Sequence, residues 1–86
     1  MSAARTLRQI RAGSRNVAFR DLLKLADALG FHLVRISGSH HILRHRRAGA
    51  MLNLQAEKGD AKPYQVKQLL KAIEEHNLSL DGEEDA

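Results

Sequence analysis

The chain has 86 residues, enough for one small domain and too few for a second core. It has no cysteine, which excludes a disulfide framework and any thiolate metal site and suits a reducing cytoplasm. The net charge of +4 hides an asymmetry: four of the ten acidic residues (Asp81, Glu83, Glu84, Asp85) fall in the last six positions, leaving residues 1–80 with 14 basic against six acidic groups. An excess of that size draws polyanions, RNA or DNA first, unless it is simply a solvated basic surface.

Residues 3–12 predict a short helix, with Ser2 as N-cap and Gly13 as its stop. Leu7 and Ile10 are its only strong apolar residues, so it must dock on something else to persist. After a polar link at Ser14-Arg15-Asn16, Phe19, Leu22, Leu23 and Ala26 recur at i, i+3, i+4, i+7. That spacing predicts an amphipathic helix over about 17–29, closed by Gly30.

The period then changes. Phe31 to Ile36 is rich in β-branched and aromatic residues and predicts a strand. Ser37-Gly38-Ser39-His40 reads as a tight turn, and two further strands are expected over 40–46 and 50–55, joined by the basic turn Arg46-Arg47-Ala48-Gly49. Leu52 and Leu54 alternate with Asn53 and Gln55, so one face of the last strand is buried and the other wet.

A polar stretch from Ala56 to Lys62 follows. Pro63 suits the first turn of a helix, and Val66, Leu69, Leu70 and Ile73 carry that helix over about 63–76, with Asn77 as its cap. The acidic residues 81–86 lack apolar anchors and are expected to be disordered. No apolar run approaches the ~20 residues of a membrane span, and no signal-peptide core precedes the first helix, so a soluble cytoplasmic protein is expected.

The resulting order is α-α-β-β-β-α: an α+β domain in which a three-stranded antiparallel sheet carries its helices on one face. The other face is left for a ligand or partner.

Of five histidines, three cluster: His40, His41 and His45. On a strand, His40 and His41 point to opposite faces. His41 and His45 share a face but lie about 13 Å apart, at ~3.3 Å per residue. Metal ligands must converge to about 2 Å from one ion, so no metal site is expected. Neither a nucleophile elbow nor a phosphate-binding glycine loop is present, and no cofactor is expected.

RNA cleavage asks less of a protein, because the attacking group is the RNA's own 2′-hydroxyl. It needs a proton acceptor or donor that works near neutrality, histidine being the common choice. It also needs cations to offset charge developing at phosphorus. His40, on an exposed turn in the same stretch as Arg44, Arg46 and Arg47, has the right chemistry. On residue type alone, a His40 that merely caps the turn or stands solvated is the favoured reading.

The run Ala28-Leu29-Gly30-Phe31, then Arg35-Ile36-Ser37-Gly38-Ser39-His40-His41-Ile42-Leu43-Arg44-His45, resembles the core of the HicA toxins. In those, a helix ending in G-F leads through a strand to a G-S-H turn and a strand closing in His. Leu52-Asn53-Leu54-Gln55 and Ala61-Lys62-Pro63-Tyr64-Gln65-Val66-Lys67-Gln68-Leu69-Leu70 resemble one branch of the family, and the likeness spans roughly residues 17–76. Arg46 departs from it, standing where a proline is usual, and helix 3–12 extends beyond the core.

The resemblance implies a double-stranded-RNA-binding-domain-like fold over residues 1–80, metal-independent endonucleolytic cleavage of mRNA, and a HicB antitoxin that covers the site. The family's catalytic histidine falls on His40. Gly38, Ser39, His41, Arg44, His45, Arg46 and Arg47 are the expected RNA-binding residues. Two other readings use the same features: a non-catalytic RNA-binding module, and an interaction subunit whose basic face meets an acidic partner.

Overall fold

A computed structural model of the chain describes residues 2–80, so the expectation for the acidic stretch 81–86 lies outside the described residues. Three helices and four strands follow in the order α1 (Ala3–Arg11), α2 (Phe19–Ala28), β1 (Phe31–Ser37), β2 (His40–His45), β3 (Met51–Glu57), β4 (Asp60–Ala61) and α3 (Pro63–Glu75).

The Ser2 hydroxyl caps α1 by accepting the Arg5 N–H at 3.2 Å. The helix ends where the Ser14 N–H reaches back to the Gln9 carbonyl at 3.0 Å and the Gly13 N–H to that of Ile10 at 3.1 Å, the paired bonds of a Schellman motif. Leu7 and Ile10 are 1% and 0% exposed, so α1 docks through the two residues its sequence offers.

Helix α2 starts later than its spacing predicts, because Val17 and Ala18 are drawn into sheet-like pairing. The Val17 carbonyl accepts the Ala61 N–H at 2.9 Å, the Gly59 carbonyl accepts the Phe19 N–H at 2.9 Å, and Ala18 bridges Asp60. Phe19, Leu22, Leu25 and Ala26 form its buried face. Helix α3 opens on Pro63 and buries Val66, Leu69 and Ile73. It closes with Asn77 at φ 51° and the Leu78 N–H on the Ile73 carbonyl at 2.9 Å. Among the described residues no helix is long and apolar enough to cross a membrane.

The sheet is antiparallel throughout, in the order β1-β2-β3-β4. The expected α+β order holds with one addition, the two-residue β4. It pairs with the end of β3 across a turn in which Lys58 and Gly59 both have positive φ, 53° and 85°.

Alternation gives the sheet two faces, most sharply in β2 and β3. Phe31, Leu43, His45, Leu52 and Leu54 are buried under α2 and α3, with α1 packed on those helices. Arg35, Ser37, His40, Arg44, Met51 and Asn53 lie on the opposite face, exposed. The outer edge is β1, whose pairing with β2 slips by one residue between Leu33 and Arg35. Leu33, Val34 and Ile36 on that strand are 49%, 50% and 56% exposed.

Candidate active site

The β1–β2 hairpin closes in two residues, Gly38 and Ser39. Gly38 has φ +61° and Ser39 does not share the positive φ, the pattern of a type II′ turn, whose first central position favours glycine. This turn delivers His40 as the first residue of β2, on the open face.

Register then decides what His40 meets. It sits opposite Gln55, so Asn53 is its diagonal neighbour on the same face. The His40 Nδ1 lies 3.0 Å from the Asn53 Oδ1. Beside it, the Gln55 amide Nε2 donates to the Ser39 hydroxyl at 3.1 Å. Ser39, His40, Asn53 and Gln55 thus form one polar cluster where the turn meets the open sheet face.

Across the other hairpin, Ser37 is opposite His40 and Arg35 is opposite Ile42, which makes Arg35 a second diagonal neighbour of His40, within reach of a long side chain. From Ala28 to Ala56 the chain carries four arginines and four histidines and no acidic residue. The open face and its flanking turns are therefore cationic.

The other predicted site residues separate. Arg44 shares the open face but lies four residues from His40, about 13 Å along the strand. Arg46 and Arg47 sit in the β2–β3 connection, about 20 Å from His40 at the far end of β2. Nearness in sequence therefore does not bring them beside His40. His41 points to the helix side, half-buried, with its ring edge-on to Phe19 (centroids 5.0 Å apart, 69° between planes). Its Nδ1 is 3.4 Å from the Ser39 carbonyl.

His45 requires a correction. It is 6% exposed, so it is not part of an RNA-contacting surface. Its Nε2–H donates to the Leu29 carbonyl at 2.9 Å, and its Nδ1 accepts the N–H groups of Arg47 at 3.1 Å and Ala48 at 2.9 Å. The ring therefore satisfies the carbonyl at the end of α2 and organises the turn after β2, which is what a buried polar group requires. It also packs edge-on to Phe31, with centroids 5.1 Å apart. Gly30 is the counterpart of this ring: a Cβ there would lie 2.6 Å from the His45 Nε2.

Sequence reading did not assign Arg35, Asn53 or Gln55 to the site. Alternation marked Asn53 and Gln55 as wet, but only the strand register brings them to His40. Among the described residues no group of three or more His, Asp or Glu is placed to hold a metal ion.

Comparison with curated proteins and with solved structures returns no match. The family model described as the HicA toxin of bacterial toxin–antitoxin systems matches residues 19–74, a span running from the first residue of α2 almost to the end of α3 and enclosing the whole sheet. With most of its length inside that match, and with the G-S-H turn presented on an open basic face, the chain belongs to the HicA toxin family.

Proposed function

We propose that this toxin is an endoribonuclease that cleaves mRNA by metal-independent transesterification, with His40 as general acid–base group. The RNA 2′-hydroxyl attacks the adjacent phosphorus. Its proton passes to a base, the 5′-oxygen leaves with a proton, and the products carry a 2′,3′-cyclic phosphate and a 5′-hydroxyl.

The observation that carries the reading is the exposure of the His40 ring on an open, cationic sheet face, with one nitrogen anchored and the other free. Arg35 is the nearest arginine by register, suited to offsetting charge on the phosphorane-like transition state. The family implies a HicB-type antitoxin. Such a partner would silence the toxin by covering this face.

The test is incubation of purified toxin with single-stranded RNA in excess EDTA, followed by end-group analysis. Cleavage with cyclic phosphate ends is expected, and addition of HicB should stop it. Activity that vanishes in EDTA and returns with Mg²⁺ would overturn the mechanism. Tight binding without turnover would instead make the domain an RNA-binding module.

A further inference from the structure

We infer that Asn53 is a positioning residue that sets the tautomer of His40, holding the hydrogen on Nδ1 so that Nε2 presents its lone pair to the RNA. The inference rests on the reading of His40 as the proton-transfer group.

A neutral imidazole carries one hydrogen, and which nitrogen bears it is set by the hydrogen bond the other groups make. In water the histidine ring prefers the hydrogen on Nε2. A general base on an open surface gains from the reverse arrangement, because Nε2 is the nitrogen farther from the backbone and the one able to reach a bound ligand. An amide oxygen is only an acceptor. With the Asn53 Oδ1 3.0 Å from the His40 Nδ1, the hydrogen belongs on Nδ1, against the ring's own preference.

Three features make Asn53 suited to this. Its position is held by the β2–β3 ladder, in which Ile42 is opposite Asn53 and His40 opposite Gln55. Gln55, the residue directly across from His40, is turned away to bond the Ser39 hydroxyl, so it does not compete for the ring. The contact is also exposed, where a hydrogen bond adds little to folding, and its main effect therefore falls on the ring's state.

The test combines ring ¹⁵N NMR with kinetics on the full chain. In the wild type, spectra of labelled histidine at mildly alkaline pH should show His40 with its hydrogen on Nδ1. In Asn53→Leu, which removes the acceptor at similar volume, the hydrogen should move to Nε2. Asn53→Asp keeps an acceptor oxygen and should keep the Nδ1–H form.

On RNA, Asn53→Leu should lower kcat by about 10–100-fold, as loss of an orienting partner commonly does, with KM nearly unchanged. Asn53→Asp should retain most of kcat while raising KM, since the carboxylate repels phosphate. Far-UV circular dichroism should show both variants folded. A wild-type His40 bearing its hydrogen on Nε2, or an Asn53→Leu toxin with unchanged kcat, would overturn the assignment. If the wild type shows the Nδ1–H ring but cleaves no RNA, the catalytic reading fails and the role of Asn53 in setting the ring stands.

Discussion

Gly30→Ala tests the packing that seats the sheet against α2. Gly30 has φ +107°, and a Cβ built there meets the His45 Nε2 at 2.6 Å, with Cε1 and Cδ2 at 3.1 and 3.2 Å. Forcing alanine into that backbone region costs roughly 1–3 kcal/mol. Relief of the overlap requires the ring to withdraw from the Leu29 carbonyl, 2.9 Å away. A buried donor and acceptor left unmet cost about 1–3 kcal/mol more.

The sum, roughly 2–6 kcal/mol, is a large share of the ~4–13 kcal/mol available to a domain of this size. At about 4–8 °C per kcal/mol, the melting temperature should fall by at least ~8 °C. Thermal and urea unfolding followed by circular dichroism measure it. A companion variant isolates the cause: with His45→Ala also present the overlap is gone, so the double substitution should cost less than the two singles added, by at least ~1 kcal/mol. A Gly30→Ala protein melting within about 3 °C of wild type, or strict additivity in the cycle, would refute the argument.

His40→Ala should lower cleavage by about 10²–10⁴-fold and shift stability by no more than about 0.5 kcal/mol, because the side chain is exposed. His45→Ala should do the opposite in unfolding experiments, losing several kcal/mol through one buried and two part-buried hydrogen bonds. Arg35→Ala should reduce kcat/KM for RNA more than Arg46→Ala or Arg47→Ala, which lie at the far end of β2; equal losses would remove Arg35 from the site. Deleting residues 1–13 should unfold the domain, since burying Leu7 and Ile10 contributes about 1.5–3 kcal/mol each. A truncated chain that keeps a cooperative melt would show that α1 is an accessory.

The three helices were legible because each carries an apolar stripe of helical period, and their observed ends differ from the expected ones by no more than two residues. The largest difference, at the start of α2, has a tertiary cause: Val17 and Ala18 pair with residues around Asp60, far along the chain. Strand β4 escaped notice for a different reason: it is two residues long, too short to show any alternation, and is defined by its pairing with the end of β3.

Alternation in β2 correctly separates His40 from His41. It also groups His45 with Leu43 on the buried face, a signal present in the sequence and outweighed there by the basic residues beside it. Asn53 and Gln55 were legible as wet. Their meeting with His40 and Ser39 was not, because a register between strands is a property of the pair and is not written in either strand alone.

The outer strand β1 has a practical consequence for handling the protein without its antitoxin. It presents Leu33, Val34 and Ile36 about half exposed beside one free row of backbone groups, the surface on which identical chains add to one another and come out of solution. The one-residue slip between Leu33 and Arg35 interrupts the flat ladder a second copy would need, and Arg35 adds a positive charge to the middle of the edge, which disfavours registers that bring two such strands together there. Shelf life at high concentration therefore depends on two local devices. A substitution that regularises the strand or neutralises Arg35 would leave the fold intact and shorten the time the free toxin stays clear in the tube.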